Sequence, residues 1–373
     1  RKAGSTVQSP GGWYDAGDYG KYTINSAIAL ESMLMGAEVY SKFYKNFDME
    51  IPESTNNTPD VLDEAMYNLK WMLTMIDTVD GCVAHKVTTK GFVSMVLPAE
   101  TNDQRYMIGK STATNYGFAA IMAKASRLYK NNPDYPDFSE KAMRYAKQAY
   151  EWAEKNPGII FHNPDSIWTG SYTARFPEQF RFWANVELYL ATKEDKYVDL
   201  TAIDTFDYDV PTWQLPASLA LMSLITGVDN GTVKGALKKK TELHFSKLAT
   251  LLYDRMEKSA GCFPLHKFEW GSNGSMSNAG SILLLQYRHT GDKKYLKAAQ
   301  DITTYLIGRN ATGYCFVTGY GKKSPMFIHD RRSTGDGIAV PVPGLIAGGP
   351  TLDAITDCDT YVYKYDHPKS EYP

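Results

Sequence analysis

The sequence predicts a mainly α-helical protein, an all-α toroid of antiparallel helical hairpins. Nine or more segments repeat apolar residues at helical spacing, and the loops joining them alternate between short and long. Strand-like alternation is sparse and short, and no fixed-period repeat marks a helical solenoid. Long loops of such a toroid gather at one rim, where function tends to reside.

Taken in order, Ile24 to Tyr44 reads as one amphipathic helix, with Ile24, Ala27, Ile28, Leu34 and Met35 among its apolar positions. A second helix opens at Pro59-Asp60-Val61-Leu62-Asp63-Glu64. Thr58 is its expected N-cap, Pro59 takes the first helical position, and carboxylates fill the first turn. Its apolar face runs through Leu62, Ala65, Met66, Leu69, Met72, Leu73 and Ile76. Further helical patterns cover 112–130, 138–155, 178–192, 214–226, 234–256, 276–289 and 294–308, with Gly291-Asp292 as a tight connection into the last. Irregular stretches rich in Gly, Pro, Ser, Thr and Asn occupy 1–22, 80–111, 157–177, 202–212, 260–275 and 309–373. No shift of composition marks a boundary, so 1–373 reads as a single domain.

Composition narrows the function. Forty basic against 42 acidic side chains leave a net charge of −2, which argues against nucleic acid or an anionic membrane as the main partner. No apolar run is long enough to span a bilayer. The 26 Tyr, 15 Phe and 7 Trp suit a neutral, ring-shaped ligand such as a sugar. The four cysteines, Cys82, Cys262, Cys315 and Cys358, stand too far apart for a zinc site and read as small buried hydrophobes.

The chemistry concentrates in Gly11-Gly12-Trp13-Tyr14-Asp15-Ala16-Gly17-Asp18-Tyr19-Gly20-Lys21-Tyr22. Its glycines require a loop, and a loop that curls brings Asp15 and Asp18 to one point between aromatic side chains. Three readings follow from the residues alone. Such carboxylates can activate water against a glycosidic bond while aromatic faces stack on pyranose rings. They can also form half of a calcium loop, although the glutamate that closes an EF-hand is missing. Or they can hold a turn by bonding backbone amides.

This loop closely resembles the signature loop of glycoside hydrolase family 9, the inverting cellulases. The likeness continues through Ile51-Pro52-Glu53-Ser54, Pro59 to Ala65 and Gly308 to Gly321. It extends to Ser324-Pro325-Met326, His329-Asp330-Arg331, Asp336-Gly337 and Pro341-Val342-Pro343-Gly344-Leu345. The resemblance implies an (α/α)6 barrel that cleaves β-1,4-glucosidic bonds of cellulose or related β-glucans with inversion. Asp18 would be the general base and Asp15 would orient the same water. His329 and Arg331 would bind sugar hydroxyls, and Trp270, with Trp213 as a weaker candidate, would stack on sugar rings. The resemblance also implies a secreted, periplasmic or cell-surface protein and, in members like this one, an immunoglobulin-like module before the barrel. No organic cofactor is needed, and the zinc ligands of some relatives have no counterpart here. The acidic loop 202–209 offers oxygen ligands for a structural calcium ion.

An inverting hydrolase sets its acid and base about 6.5–9.5 Å apart, so two carboxylates aimed at one water are not that pair. The family's proton donor is a Glu in an Asn-Glu pair. This chain has no such dipeptide, and Glu371 does not match the motif. The expectation is a donor beyond Pro373, with both ends cut from a longer protein and activity crippled in this chain alone. Two alternatives stand beside the glucanase: an exo-acting glucosaminidase of the same family, and a non-catalytic glycan-binding barrel. Trp168 is a further stacking candidate. Asn115 stands where some relatives place a cleft histidine, which argues against sugar contact there, and Lys238-Lys239-Lys240 reads as a solvated helix face.

Overall fold

A computed structural model describes residues 4–352, which are mainly helical. The chain divides into two compact units. Among the described residues the first takes in those up to Val93, Asp103–Phe206 and Thr212–Lys238, and the second Ser94–Asn102, Asp207–Pro211 and those from Lys239 onward.

The first unit contains α1 (Thr23–Val39), α2 (Ser41–Tyr44), α3 (Asp60–Thr74), α4 (Thr112–Leu128), α5 (Phe138–Lys155), α6 (Pro177–Thr192) and α7 (Ala217–Asp229). Helices α4 and α7 are buried on nearly every face. In α5 a single stripe, Ala142, Ala146, Ala149 and Ala153, faces inward at the spacing of a helix that covers its neighbour from outside. The small residues of α4 let it pack against α1, α5 and α6 at once.

Two helix boundaries differ from the sequence reading. The expected helix over 24–44 breaks at Tyr40 (φ −115°, ψ 36°), because the short α2 turns back and lays the Tyr44 ring against Gly36. The second helix begins at Asp60, with Pro59 in extended backbone before it, and Thr58 is not its cap. The Thr58 hydroxyl is drawn away to Asp134 Oδ2 (2.7 Å), while the Asp60 carboxylate accepts from Met49 N–H and the Ser54 hydroxyl.

The stretches expected to be irregular hold a small antiparallel sheet, ordered β1 (Lys21–Tyr22), β2 (Lys86–Thr88), β3 (Tyr106–Ile108). Tyr22 pairs with Lys86, and Lys86 with Ile108. Strands of two or three residues are too short to show alternation, and long-range pairing alone defines them.

A charged network crosses the core of this unit. Lys124 of α4 bonds Glu31 of α1 and lies 3.6 Å from Glu187 of α6. Arg127 pairs with Glu38 and, at 3.1 Å, with Glu187, and the Ser223 hydroxyl of α7 donates to Glu187. The Lys124, Glu31 and Glu187 side chains have no exposed surface. Neighbouring cations hold Glu187 ionised against its burial, whereas burial pushes Glu31 above the usual carboxylate range.

The second unit holds α8 (Gly235–Lys258) beyond its first turn, α9 (Ser272–Thr290), α10 (Lys293–Leu306) and the short α11 (Arg331–Gly335). Helices α9 and α10 form the expected hairpin. Gly291 takes the left-handed position that ends α9, and the Asp292 carboxylate caps α10 through Lys294 N–H. Phe316 and Thr318 are tied by backbone hydrogen bonds to Leu306, Leu345 and Ala347, which fixes the late loop to α10.

Cys82 and Cys315 are buried and unbridged, but Cys262 departs from the reading of all four as buried. It is exposed, in left-handed backbone (φ 56°). Cys358 and the segment containing Glu371 lie outside the described residues. Among the described residues no helix is long and apolar enough to cross a membrane.

Candidate active site

The glycine-rich loop folds as a curl closed on itself. Asp15 N–H donates to Gly20 C=O (3.0 Å), which bends the intervening residues so that the carboxylates of Asp15 and Asp18 act on one another. Three anchors hold the curl to α3: Trp13 N–H donates to Asn68 Oδ1 (3.0 Å), Trp13 Nε1 to Glu64 Oε1 (2.6 Å), and Gly12 lies flat on the Trp71 ring. A Cβ at Gly12 would stand 2.4 Å from Trp71 Cγ, and its φ of +78° also favours glycine. Lys21 Nζ closes the base of the curl on Gly11 C=O.

The two carboxylates live in different surroundings. Asp15 Oδ1 accepts from Asn25 Nδ2 of α1 (2.6 Å), and Oδ2 accepts from the Tyr172 hydroxyl. Burial nevertheless pushes the Asp15 carboxyl up to about 6; the two donors oppose that rise and the Asp18 charge adds to it. Asp18 is buried, and its Oδ2 accepts from Gly20 N–H (3.0 Å). Gly20 is required here by contact: a Cβ would lie 2.7 Å from Asp18 Oδ2 and 2.8 Å from the Tyr22 hydroxyl.

Of the candidates from sequence, Asp15, Asp18 and Trp213 stand in the first unit. Trp213, half-buried, packs edge-on against Tyr172 with ring centroids 5.0 Å apart, and Tyr172 in turn meets the Tyr22 ring at 4.7 Å. It therefore supports the residue that grips Asp15. Trp168 is exposed on the loop that leads to Tyr172, pinned by its N–H to Lys90 C=O (2.7 Å). Asn115 is wholly buried and bonds Val83 N–H, so its role is structural.

His329, Arg331 and Trp270 stand in the second unit. Asp330, between His329 and Arg331, caps α11: its carboxylate accepts from Ser333 N–H and, at 2.8 Å, from the Ser333 hydroxyl. That cap leaves His329 exposed and Arg331 buried at the start of the helix. Trp270 is exposed where α9 begins, beside Ser272 and Asn273, which bond Pro350 and Ala347 carbonyls. The Asp209 carboxylate in the loop suggested for calcium is held by both terminal nitrogens of Arg255 (2.6 and 2.7 Å). Among the described residues no group of three or more His, Cys, Asp and Glu is placed to hold a metal.

Sequence reasoning passed over Asn25, Tyr172 and Lys86. Tyr172 is 157 positions from Asp15. Its one local trace is a left-handed backbone (φ 46°), which is visible only once folded.

Comparison with known proteins bears on the fold and the family. Solved structures share the helical-barrel fold: one titled Bacteroides ovatus GH9 superposes with a TM-score of 0.88 at 36% identity, covering 94% of this chain and 67% of that one. The model of glycosyl hydrolase family 9 matches residues 1–371, and the chain belongs to that family. A xyloglucan-specific endo-beta-1,4-glucanase of Bacteroides ovatus is 38% identical, over 94% of this chain and 62% of its own length. Endoglucanase D of Acetivibrio thermocellus is 31% identical, over 91% of this chain and 55% of its own. The chain thus spans a little over half the length of these curated relatives.

Proposed function

We propose that residues 1–373 belong to one catalytic domain that hydrolyses β-1,4-glucans with inversion, and that the loop Asp15–Asp18 supplies its water-activating half. In this reading Asp18 is the general base, oriented by the Gly20 amide, and Asp15 holds the same water. The observation that carries it is the unequal setting of two carboxylates on one closed curl. Asp15 is fixed through both oxygens by neutral donors, Asn25 and Tyr172, which supports reading it as the group that positions the water rather than the one that takes its proton.

His329 and Arg331 are proposed to bind sugar hydroxyls, and Trp270 to stack on a ring. Trp213 acts on the substrate through its packing against Tyr172. The general acid is assigned to no residue of the described chain. A substrate panel includes xyloglucan, because the 38% identical relative is named for it, beside carboxymethyl-cellulose and mixed-linkage glucan. A secreted or surface location and a preceding immunoglobulin-like module belong to the same proposal, by family likeness.

The test uses the chain extended to the length of its relatives. Asp18→Asn is expected to lower hydrolysis by about 10²–10⁴-fold while cello-oligosaccharide binding persists. Proton NMR of fresh product is expected to show the α-anomer first. Full activity in Asp18→Asn, or a β-anomer first, overturns the reading.

A further inference from the structure

Lys86 sits on β2 with no exposed surface, an unusual place for an ammonium. Its three donors are all used: on Asn163 Oδ1 (2.6 Å), Thr169 Oγ1 (3.1 Å) and Gly170 C=O (2.8 Å). All three acceptors are neutral, so none of them neutralises the charge. They belong to the loop that continues into Tyr172, whose hydroxyl holds Asp15. Tyr22 lies between this lysine and the curl. Lys86 Nζ stands 5.5 Å from the Tyr22 ring centroid, and the backbone of Gly170 lies beside the Tyr22 hydroxyl. The same hydroxyl and Asp18 Oδ2 converge on Gly20.

We infer that Lys86 is a positioning residue for Asp18, a buried cation one strand away that keeps this carboxylate ionised while it fixes the loop bearing Tyr172. The inference rests on reading Asp18 as the base. Its chemistry is simple. A buried ammonium whose hydrogen bonds go only to neutral oxygens projects its charge onto the nearest anion through poorly screening surroundings. Burial draws the Lys86 ammonium down to about 8, and the Asp18 charge opposes that fall. Titratable groups that feel the Asp18 charge include Asp15 from its own curl, Tyr22 from β1 and Lys86 from β2. On the other side of Lys86 its neighbour His85 is buried and held neutral, so it adds no charge. Lys21 and Arg105 instead flank the Tyr14 ring. One curl thus carries two carboxylates of different duty: Asp15 is held by neutral donors, and Asp18 lies within electrostatic reach of a buried cation.

The test follows aspartate carboxyl carbons of this chain by carbon-13 NMR through a pH titration, the Asp18 signal being identified by its loss in Asp18→Asn. In Lys86→Met the Asp18 midpoint is expected to rise by about one pH unit, a tenfold gain in proton affinity, and in Lys86→Arg to stay near its original value. The acid limb of kcat/KM in the extended chain is expected to move by the same amount in Lys86→Met, with KM nearly unchanged. Should Lys86→Met not fold, the reciprocal effect decides: in Asp18→Asn the Lys86 ammonium, followed by nitrogen-15 NMR, must titrate about one unit lower. An unmoved Asp18 midpoint in folded Lys86→Met, or an unmoved Lys86 in Asp18→Asn, overturns the inference and leaves the base assignment standing. Undiminished hydrolysis by Asp18→Asn sinks the base assignment itself.

Discussion

The Tyr172 hydroxyl donates to Asp15 Oδ2, joining the curl near the start of the chain to a loop 157 positions later. The bond favours the ionised carboxyl and partly offsets the burial that holds Asp15 at about 6. Removing it in Tyr172→Phe lets burial act unopposed, so the Asp15 midpoint rises further. The acid limb of kcat/KM in the extended chain is expected to shift to higher pH, with activity at pH 5 falling more than activity at pH 8. An unshifted limb, with the loss equal at both, means that Asp15 does not govern that limb.

The same carboxyl works against stability. Its folded midpoint of about 6 lies above the ordinary 3.8, so between these values the folded chain binds more protons than the unfolded one, and stability falls as pH rises. Below about 4 both states are protonated and the effect vanishes. The melting temperature of Asp15→Asn, relative to the parent, is therefore expected to climb between pH 4 and pH 7. A difference that stays flat across that window contradicts the raised midpoint.

Gly12→Ala tests whether close packing on Trp71 sets the curl. Gly158 has nearly the same backbone (φ +79° against +78°), but a Cβ there meets nothing within 4 Å. Gly158→Ala thus reports backbone strain alone, about 1–2 kcal/mol by urea unfolding. Gly12→Ala adds the collision with the indole, a further cost of about 1–3 kcal/mol, and displaces the carboxylates. It is expected to lose activity as well as stability, where Gly158→Ala loses stability only. Equal behaviour of the two would separate the curl from Trp71.

Much of this arrangement was legible beforehand because it is local. Helical periodicity located α3 to α10 to within a few residues, and the glycines around Asp15 and Asp18 announced a curl. What stayed hidden depends on partners far along the chain. Thr58 looked like a cap until Asp134 drew its hydroxyl away. Strands β1, β2 and β3 exist only by pairing with one another. Tyr172, Asn25 and Lys86 belong to no motif, since their contribution is a place in space that only folding assigns. His329 and Arg331 were singled out by the family resemblance, which did not show that Asp330 between them is a helix cap.

The two tryptophans proposed for the substrate are expected to behave differently. Trp270 is 59% exposed, so Trp270→Ala is expected to cost little stability and to weaken cellohexaose binding several-fold, read by calorimetry. Trp213 packs on Tyr172, so Trp213→Ala is expected to lower kcat more than affinity by loosening the Asp15 donor. The reverse pattern would exchange their roles.

The buried network of the first unit gives the largest expected effect on folding. Lys124 neutralises Glu31 and Glu187 where neither side chain reaches water. Lys124→Met keeps the volume but removes the charge. Arg127 still pairs with Glu187, so Glu31 bears the loss. Leaving a buried charge without its partner costs about 3–5 kcal/mol, whereas replacing the whole pair by groups of similar volume is often neutral. Urea unfolding of this chain is therefore expected to show a loss of that size in Lys124→Met, and recovery of most of it when Glu31→Gln is added. Burial already pushes Glu31 toward its neutral form. Without the ammonium its midpoint climbs above about 7, so the single-variant deficit must shrink as alkaline pH falls toward 7, where Glu31 takes up a proton in place of the missing ammonium. A deficit independent of pH, or one the second substitution deepens, would mean that Lys124 acts through shape rather than charge.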